Sequence, residues 1–166
     1  MDDLDISLLR RLQQQADLPL SDLARKVGLS KSACWNRLRR LEEMGVIAKR
    51  ITLLDRKKLG LPIVVFLSIS VQKHNDSWTQ NFHKLVQSMP EIIEVHRLTG
   101  AGADYLLKVV APSVEAYDQF QQKLIRQIDF SSMSSQVSLQ ELKCTNEYPF
   151  AQLNQAEPNP EQKSLG

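Results

Sequence analysis

The sequence predicts an α+β fold in two parts, an all-helical N-terminal segment and a C-terminal segment in which strands and helices alternate. Three observations carry this: apolar repeats at helical spacing before residue 45, β-rich alternation from Pro62 onward, and a charge balance that changes in the same region. Residues 1–60 hold thirteen Lys/Arg against eight Asp/Glu, whereas residues 61–166 hold eight against eleven. A chain of 166 residues has room for one domain or two small ones.

Ile6, Leu8, Leu9 and Leu12 share a helical face, and that pattern breaks at Asp17-Leu18-Pro19. Ser21 is the expected N-cap of a short helix through Val27, with Leu23, Ala24 and Val27 facing inward and Gly28 ending it. Leu29 fills the turn. Ser30 then caps a third helix that runs to about Met44 and stops at Gly45. Two short helices joined by a glycine-containing turn of about four residues form a helix-turn-helix. Residues 46–54, β-rich with Lys49 and Arg50 at their centre, are expected to form the flanking strand or wing.

Strands are predicted over residues 63–72, 92–98, 105–111 and 137–142. Between them lie a helix at 77–88, closed by Pro90, and a second after Pro112-Ser113. Val114, Tyr117, Phe120, Leu124 and Ile128 fall at helical steps along the second. The order βαββαβ is that of a ferredoxin-like sandwich of about 80 residues. Its helices cover one sheet face, so the other is expected to meet a second copy of the chain. The expected domains are therefore a winged helix-turn-helix over 1–60, the βαββαβ domain over 61–148, and a polar, flexible tail over 149–166.

On the third helix, Cys34, Leu38 and Leu41 form one stripe. Ser32, Asn36, Arg39, Arg40 and Glu43 lie opposite, with Trp35 and Arg37 on the flanks. Asn suits adenine edges, and Arg suits guanine edges or phosphates. From residue 31 to 58 the basic side chains Lys31, Arg37, Arg39, Arg40, Lys49, Arg50, Arg56, Lys57 and Lys58 face only Glu42, Glu43 and Asp55. Such an excess points to a polyanion. Ser32, Asn36 and Arg40 are expected in the major groove of duplex DNA, with Lys31, Arg37, Arg39, Lys49 and Arg50 on phosphates. Cys34 is expected to be a core thiol, and Trp35 and Trp78 packing anchors.

Other chemistries are disfavoured. The longest apolar run, residues 62–67, is far short of the ~20 needed to span a bilayer, and the acidic start lacks a signal-peptide stretch. A cytoplasmic protein without a membrane partner is expected. Cys34 and Cys144 are isolated, which argues against a disulfide framework. His74, His83 and His96 fall on different elements, so no metal site is expected. Nucleophile-elbow, phosphate-loop and dinucleotide motifs are missing, so neither an enzyme nor a cofactor is expected. The third strand, 105–110, lacks the stacking aromatics of RNA-binding βαββαβ modules. The alternative to a DNA-binding regulator is an oligomeric small-molecule-binding module whose basic segment does not contact DNA.

Several stretches together carry a family resemblance. They are Leu4-Asp5 with residues 6–12; Leu23-Ala24 through Val27-Gly28-Leu29-Ser30; Cys34-Trp35-Asn36-Arg37-Leu38-Arg39-Arg40-Leu41-Glu42; and Gly45-Val46-Ile47. Further on come Leu59-Gly60-Leu61, Pro90-Glu91-Ile92, Thr99-Gly100 and Asp104-Tyr105-Leu106-Leu107-Lys108-Val109. In order and spacing the chain, from Leu4 to about Pro149, resembles the Lrp/AsnC (feast/famine) family of bacterial and archaeal transcription regulators. The resemblance implies a DNA-binding domain, a β hinge, and a ligand domain that forms dimers and further assembles into octamers. It also implies an amino-acid effector bound near the loop between the second and third strands of the ligand domain. By matching position, Thr99, Gly100 and Asp104 belong to that pocket, with His96, Ala101 and Gly102 lining it. Asp104 could receive an α-ammonium group and the amides of the glycine turn a carboxylate. The loop Gly100-Ala101-Gly102-Ala103-Asp104-Tyr105 is one residue longer than the family's and lacks its acid and aromatic, so a reshaped pocket is expected. Lys31 and Ala33 stand where prolines are often found.

Overall fold

The computed structural model describes residues 1–72, 75–100 and 102–150. His74, Ala101 and almost all of the expected tail lie outside the described residues. The chain divides into two compact units, one of Met1–Thr52 with the segment that begins at Lys143, the other of Leu53–Leu142.

In the first unit α1 spans Asp3–Gln14, α2 Leu20–Lys26 and α3 Lys31–Glu43. Asp2 and Asp5 form a reciprocal capping box at the start of α1, each side chain accepting the other's backbone N–H. The start of α2 differs from expectation. Its N-cap is Pro19, whose carbonyl accepts from the N–H groups of Asp22 and Leu23, and Ser21 lies inside the first turn. The fixed φ of proline, here −55°, preorganises that entry without a side-chain cap. Gly28 takes φ +70° in the turn, Leu29 N–H returns to the Ala24 carbonyl, and Ser30 Oγ accepts from Ala33 N–H to cap α3. Leu8, Leu23, Ala24, Val27, Cys34 and Leu38 form the core, joined at its edge by Leu12, Leu29 and Ile47.

The expected wing strand over residues 46–54 is not formed. Val46 and Ile47 are used as a helix stop, both N–H groups reaching the Leu41 carbonyl, and Ile51 is exposed. A β-rich run becomes a strand only where a neighbour accepts its ladder, and none of the described residues pairs with it.

The second unit runs β1 Ile63–Ser70, α4 Asp76–Ser88, β2 Ile92–Arg97, β3 Tyr105–Ala111, α5 Val114–Gln127 and β4 Ser132–Val137. The sheet is antiparallel in the order β2-β3-β1-β4, as the βαββαβ reading requires. Val65, Leu67 and Ile69 on β1 and Tyr105, Leu107 and Val109 on β3 meet Phe82, Leu85, Phe120 and Leu124 from the helices. Trp78 is the anchor expected of it: its ring stacks on Phe82 at 4.9 Å between centroids, and Nε1 donates to the Asp129 carbonyl at 2.6 Å.

The last strand lies earlier than predicted. Pairing of β4 along β1 ends at Val65↔Val137, with one further bond from Ser138 N–H to the Val64 carbonyl. There β1 itself is running out. Beyond Ser138 the alternating run expected over 137–142 meets no strand partner among the described residues, and Leu139 and Leu142 are 98% and 86% exposed. The serine-rich segment Ser132–Val137 takes the edge, where polar side chains discourage unwanted pairing.

Candidate functional site

The third helix separates its faces cleanly. Cys34, Leu38 and Leu41 are buried, while Lys31, Ser32, Trp35, Asn36, Arg39 and Arg40 are exposed. Trp35 is a correction to its expected packing role: 54% of its surface is open to solvent. Residue 35 sat at the flank of the helical wheel, where the sequence pattern does not decide between core and surface. An exposed indole among amide, hydroxyl and cationic groups gives this face an aromatic contact as well as polar ones.

The cations are not equivalent. Arg39 Nε donates to Glu43 Oε1 at 2.9 Å, an exposed i,i+4 pair of small energetic weight. Arg50 reaches back to Glu42 at 3.0 Å, which ties the segment after α3 to the helix. Lys31 and Lys49 make no ion pair among the described residues. Arg37 and Arg40 instead meet the start of α1. Arg37 Nη1 donates to Asp2 Oδ2 at 2.6 Å and Asp5 Oδ1 at 2.8 Å, and Arg40 Nη2 donates to Asp5 Oδ2 at 2.5 Å.

Asp5 has no solvent exposure, and no other charged residue is buried among those described. The backbone bond from Asp5 and then the Arg37 guanidinium hold the Asp2 carboxyl below the usual carboxylate range, while the carboxylates of Asp2 and then Asp5 raise Arg37. These two acids carried a legible signal for helix capping. Their pairing with residues more than thirty positions away carried none.

The glycine turn between β2 and β3 is braced from several sides. Leu98 N–H donates to the Asp104 carbonyl at 2.8 Å, and Asp104 N–H to the Ile69 carbonyl at 2.8 Å. Asp104 Oδ2 accepts from Val71 N–H at 2.7 Å, and Ser70 Oγ donates to the Gly102 carbonyl at 2.9 Å. Gly100 and Gly102 hold φ +109° and +121°, conformations that L side chains rarely adopt. Thr99, Gly100 and Gly102 are exposed; Asp104 is half-buried.

His96 lies on β2 with Nε2 3.6 Å from Glu94 Oε2, while Lys108 Nζ sits 3.0 Å from Glu94 Oε1. Lys108 first and His96 second lower the Glu94 carboxyl. An open polar groove of about 500 Å³ runs along α5, lined by residues such as Asp118, Lys123 and Arg126, and shares no residue with the glycine turn. No group of three metal-ligating side chains occurs among the described residues, and no described helix is long and apolar enough to cross a membrane.

Comparison with known proteins agrees with the two-part fold. A sequence profile of the Lrp/AsnC ligand binding domain matches residues 64–148, and one of winged helix-turn-helix DNA-binding domains matches residues 1–48. The glutamate uptake regulatory protein of Zymomonas mobilis is 42% identical over 150 residues, covering 90% of this chain and 91% of that protein. An AsnC family transcriptional regulator from Agrobacterium tumefaciens has a crystal structure with 41% identity and a TM-score of 0.87, covering 91% of this chain and 98% of its own. A transcriptional regulator from Neisseria meningitidis, solved as a complex with L-methionine, is 30% identical with a TM-score of 0.87, covering 92% and 99%. Both halves are matched in order and the fold follows, so the chain belongs to the Lrp/AsnC family of DNA-binding transcriptional regulators.

Proposed function

We propose that this chain binds duplex DNA through the outward face of α3, and that an amino acid received near the loop of residues 99–104 modulates either that binding or the assembly of the chain. One observation carries the DNA reading: Lys31, Ser32, Trp35, Asn36, Arg39 and Arg40 are exposed on one helix whose other side is core. In this reading Ser32, Asn36 and Arg40 enter the major groove, while Lys31, Arg39, Lys49 and Arg50 hold phosphates. Arg37, engaged by Asp2 and Asp5, serves the α1–α3 lock in place of a phosphate. Binding of the full chain to a selected duplex, followed by fluorescence anisotropy over a salt series, tests the reading. Four phosphates neutralised per monomer correspond to a slope of about −3.6 in log K against log salt. Equal affinity at low and high salt would remove the DNA reading in favour of the oligomeric ligand-binding module.

For the effector, the L-methionine complex of the Neisseria relative supplies the ligand class. Thr99, Gly100, Ala101 and Gly102 would meet the carboxylate end, with His96 beside them. Since the Asp104 carboxylate already holds Val71 N–H, its second role toward an ammonium is tested with Asp104→Asn. A thermal shift by L-methionine that persists in this variant assigns the ammonium elsewhere. Self-association through the ligand domain, a location in the cytoplasm and the absence of catalysis complete the reading. The domains proposed are 1–60 for DNA, 61–148 for effector and assembly, and 149–166 as a tail.

A further inference from the structure

The assignment of α3 to DNA leaves unexplained why a carboxylate is sealed beneath it. Asp5 is 0% exposed, and both its oxygens are engaged: Oδ1 by Arg37, and Oδ2 by Arg40 and by the Asp2 N–H at 3.0 Å. Burying a charge is costly unless it is paired and fully hydrogen-bonded, and an apolar residue would stabilise the same junction without that cost. The two arginines differ in what they have left. The Arg37 side chain is 26% exposed and bridges two carboxylates, whereas that of Arg40 is 52% exposed and gives one N–H to Asp5. A guanidinium carries five N–H donors in a rigid planar fork. Fixing one of them on Asp5 leaves the others on a side chain that is still half open to solvent.

We infer that Asp5 is a positioning residue for base recognition: from the core side of α1 it aims the Arg40 guanidinium into the groove that α3 enters. The inference rests on the DNA reading above. A free arginine pays rotamer entropy on reaching a base edge, and a buttressed one has paid it during folding. Lysine at position 40 would keep the charge but could not bridge a carboxylate beneath and a base edge above with one planar group.

The test measures the full wild-type chain, Asp5→Asn, Arg40→Ala, the double variant and Arg40→Lys. Each is titrated with a duplex selected for wild-type binding and with a random-sequence duplex, across a salt series. Circular dichroism and thermal melting accompany each titration. Asp5→Asn is expected to lower the selected-over-random ratio about tenfold, as a lost bidentate base contact does, while the salt slope changes by less than one phosphate, about 0.9. In the Asp5→Asn background, Arg40→Ala is expected to lower the ratio no further, because the two residues act as one unit. A folded Asp5→Asn chain with the wild-type ratio overturns the inference, as do losses that multiply in the double variant. Retention of the ratio in Arg40→Lys also overturns the inference, and if Asp5→Asn does not fold, Asp5→Leu decides, since an apolar side chain leaves no buried carboxylate to satisfy. A tenfold loss of ratio at unchanged slope supports the bridge, and retention of the ratio overturns it. A wild-type chain with no salt-dependent duplex binding is a separate outcome, which removes the DNA reading and this inference with it.

Discussion

Arg37 shows how one side chain can be read two ways and resolved by its neighbours. As a cation on the flank of an exposed helix it suits a phosphate, yet its Nη1 lies within 2.8 Å of two carboxylates on α1. Arg37→Ala leaves Asp5 buried with one guanidinium fewer. Loss of a hydrogen bond to a charged group costs about 1.5–3 kcal/mol, so urea unfolding should register a destabilisation of that size. Lys31→Ala, with no ion pair to lose, should fall within about 0.5 kcal/mol of wild type. A neutral result for Arg37→Ala would mean the α1–α3 lock contributes nothing to stability. Cys34 offers a pH-dependent check of the same packing. Burial pushes its thiol up, and its side chain has no solvent exposure. The unfolded thiol therefore ionises first. The stabilisation from keeping Cys34 neutral is complete below the ordinary thiol value of about 8.5 and is lost as pH rises from there through the raised folded value. The stability difference between wild type and Cys34→Ala should shrink over that interval. At neutral pH a thiol reagent should label exposed Cys144 promptly and Cys34 only on unfolding.

At the level of elements, the sequence was most legible where a periodic apolar face coincided with a chemical stop. The third helix begins at a serine cap, ends before a glycine at φ +70°, and buries the three residues its wheel selects. Ser30→Ala should cost about 1 kcal/mol in thermal unfolding. The ladders were less legible, because a strand is defined by its neighbour. Residues 46–54 and 139–142 have strand composition but no ladder partner among the described residues, while the serine-rich β4 has one in β1. The loop residues 99–104 were legible as a turn through their glycines. Its bracing by Ser70, Val71 and Ile69 came from across the sheet and left no local mark. The outer face of α3 holds one more test, since Glu43 both competes for Arg39 and would repel a phosphate. The exposed pair is worth about 0.3–0.5 kcal/mol, and a like charge a few ångströms away in water costs about 1 kcal/mol. Glu43→Gln is therefore expected to tighten duplex binding by up to about tenfold at low salt, with the gain fading as salt rises. Unchanged anisotropy curves would place Glu43 outside the DNA contact.

For the molecule as a whole, the decisive surface is the side of the sheet that the helices do not cover. Strand pleating puts Val64, Phe66 and Ser68 of β1, Leu106, Lys108 and Val110 of β3, and Glu94 and His96 of β2 on that side. Phe66 and Leu106 are only half-buried there, beside the Lys108–Glu94 pair. Phe66 and Leu106 flank one charged pair on this face, with Lys108 paired directly across from Phe66, and a half-buried aromatic and aliphatic beside paired charges suit a protein interface. The expected state of the full chain in light scattering is accordingly a dimer or larger. Phe66→Asp introduces a charge that a mating face cannot solvate, and should move the mass toward the monomer. Circular dichroism must stay unchanged, because Phe66 lies outside the helix-covered core of Val65 and Leu67. In the proposed reading the consequence extends to DNA: a dimer carrying two α3 faces would engage two half-sites, and linkage of this kind strengthens binding about 10²–10⁴-fold without new contacts. Phe66→Asp should thus weaken binding to a two-half-site duplex by at least tenfold while leaving single-half-site binding alone. A folded Phe66→Asp chain that keeps both its mass and its two-site affinity would move the assembly contact to another surface.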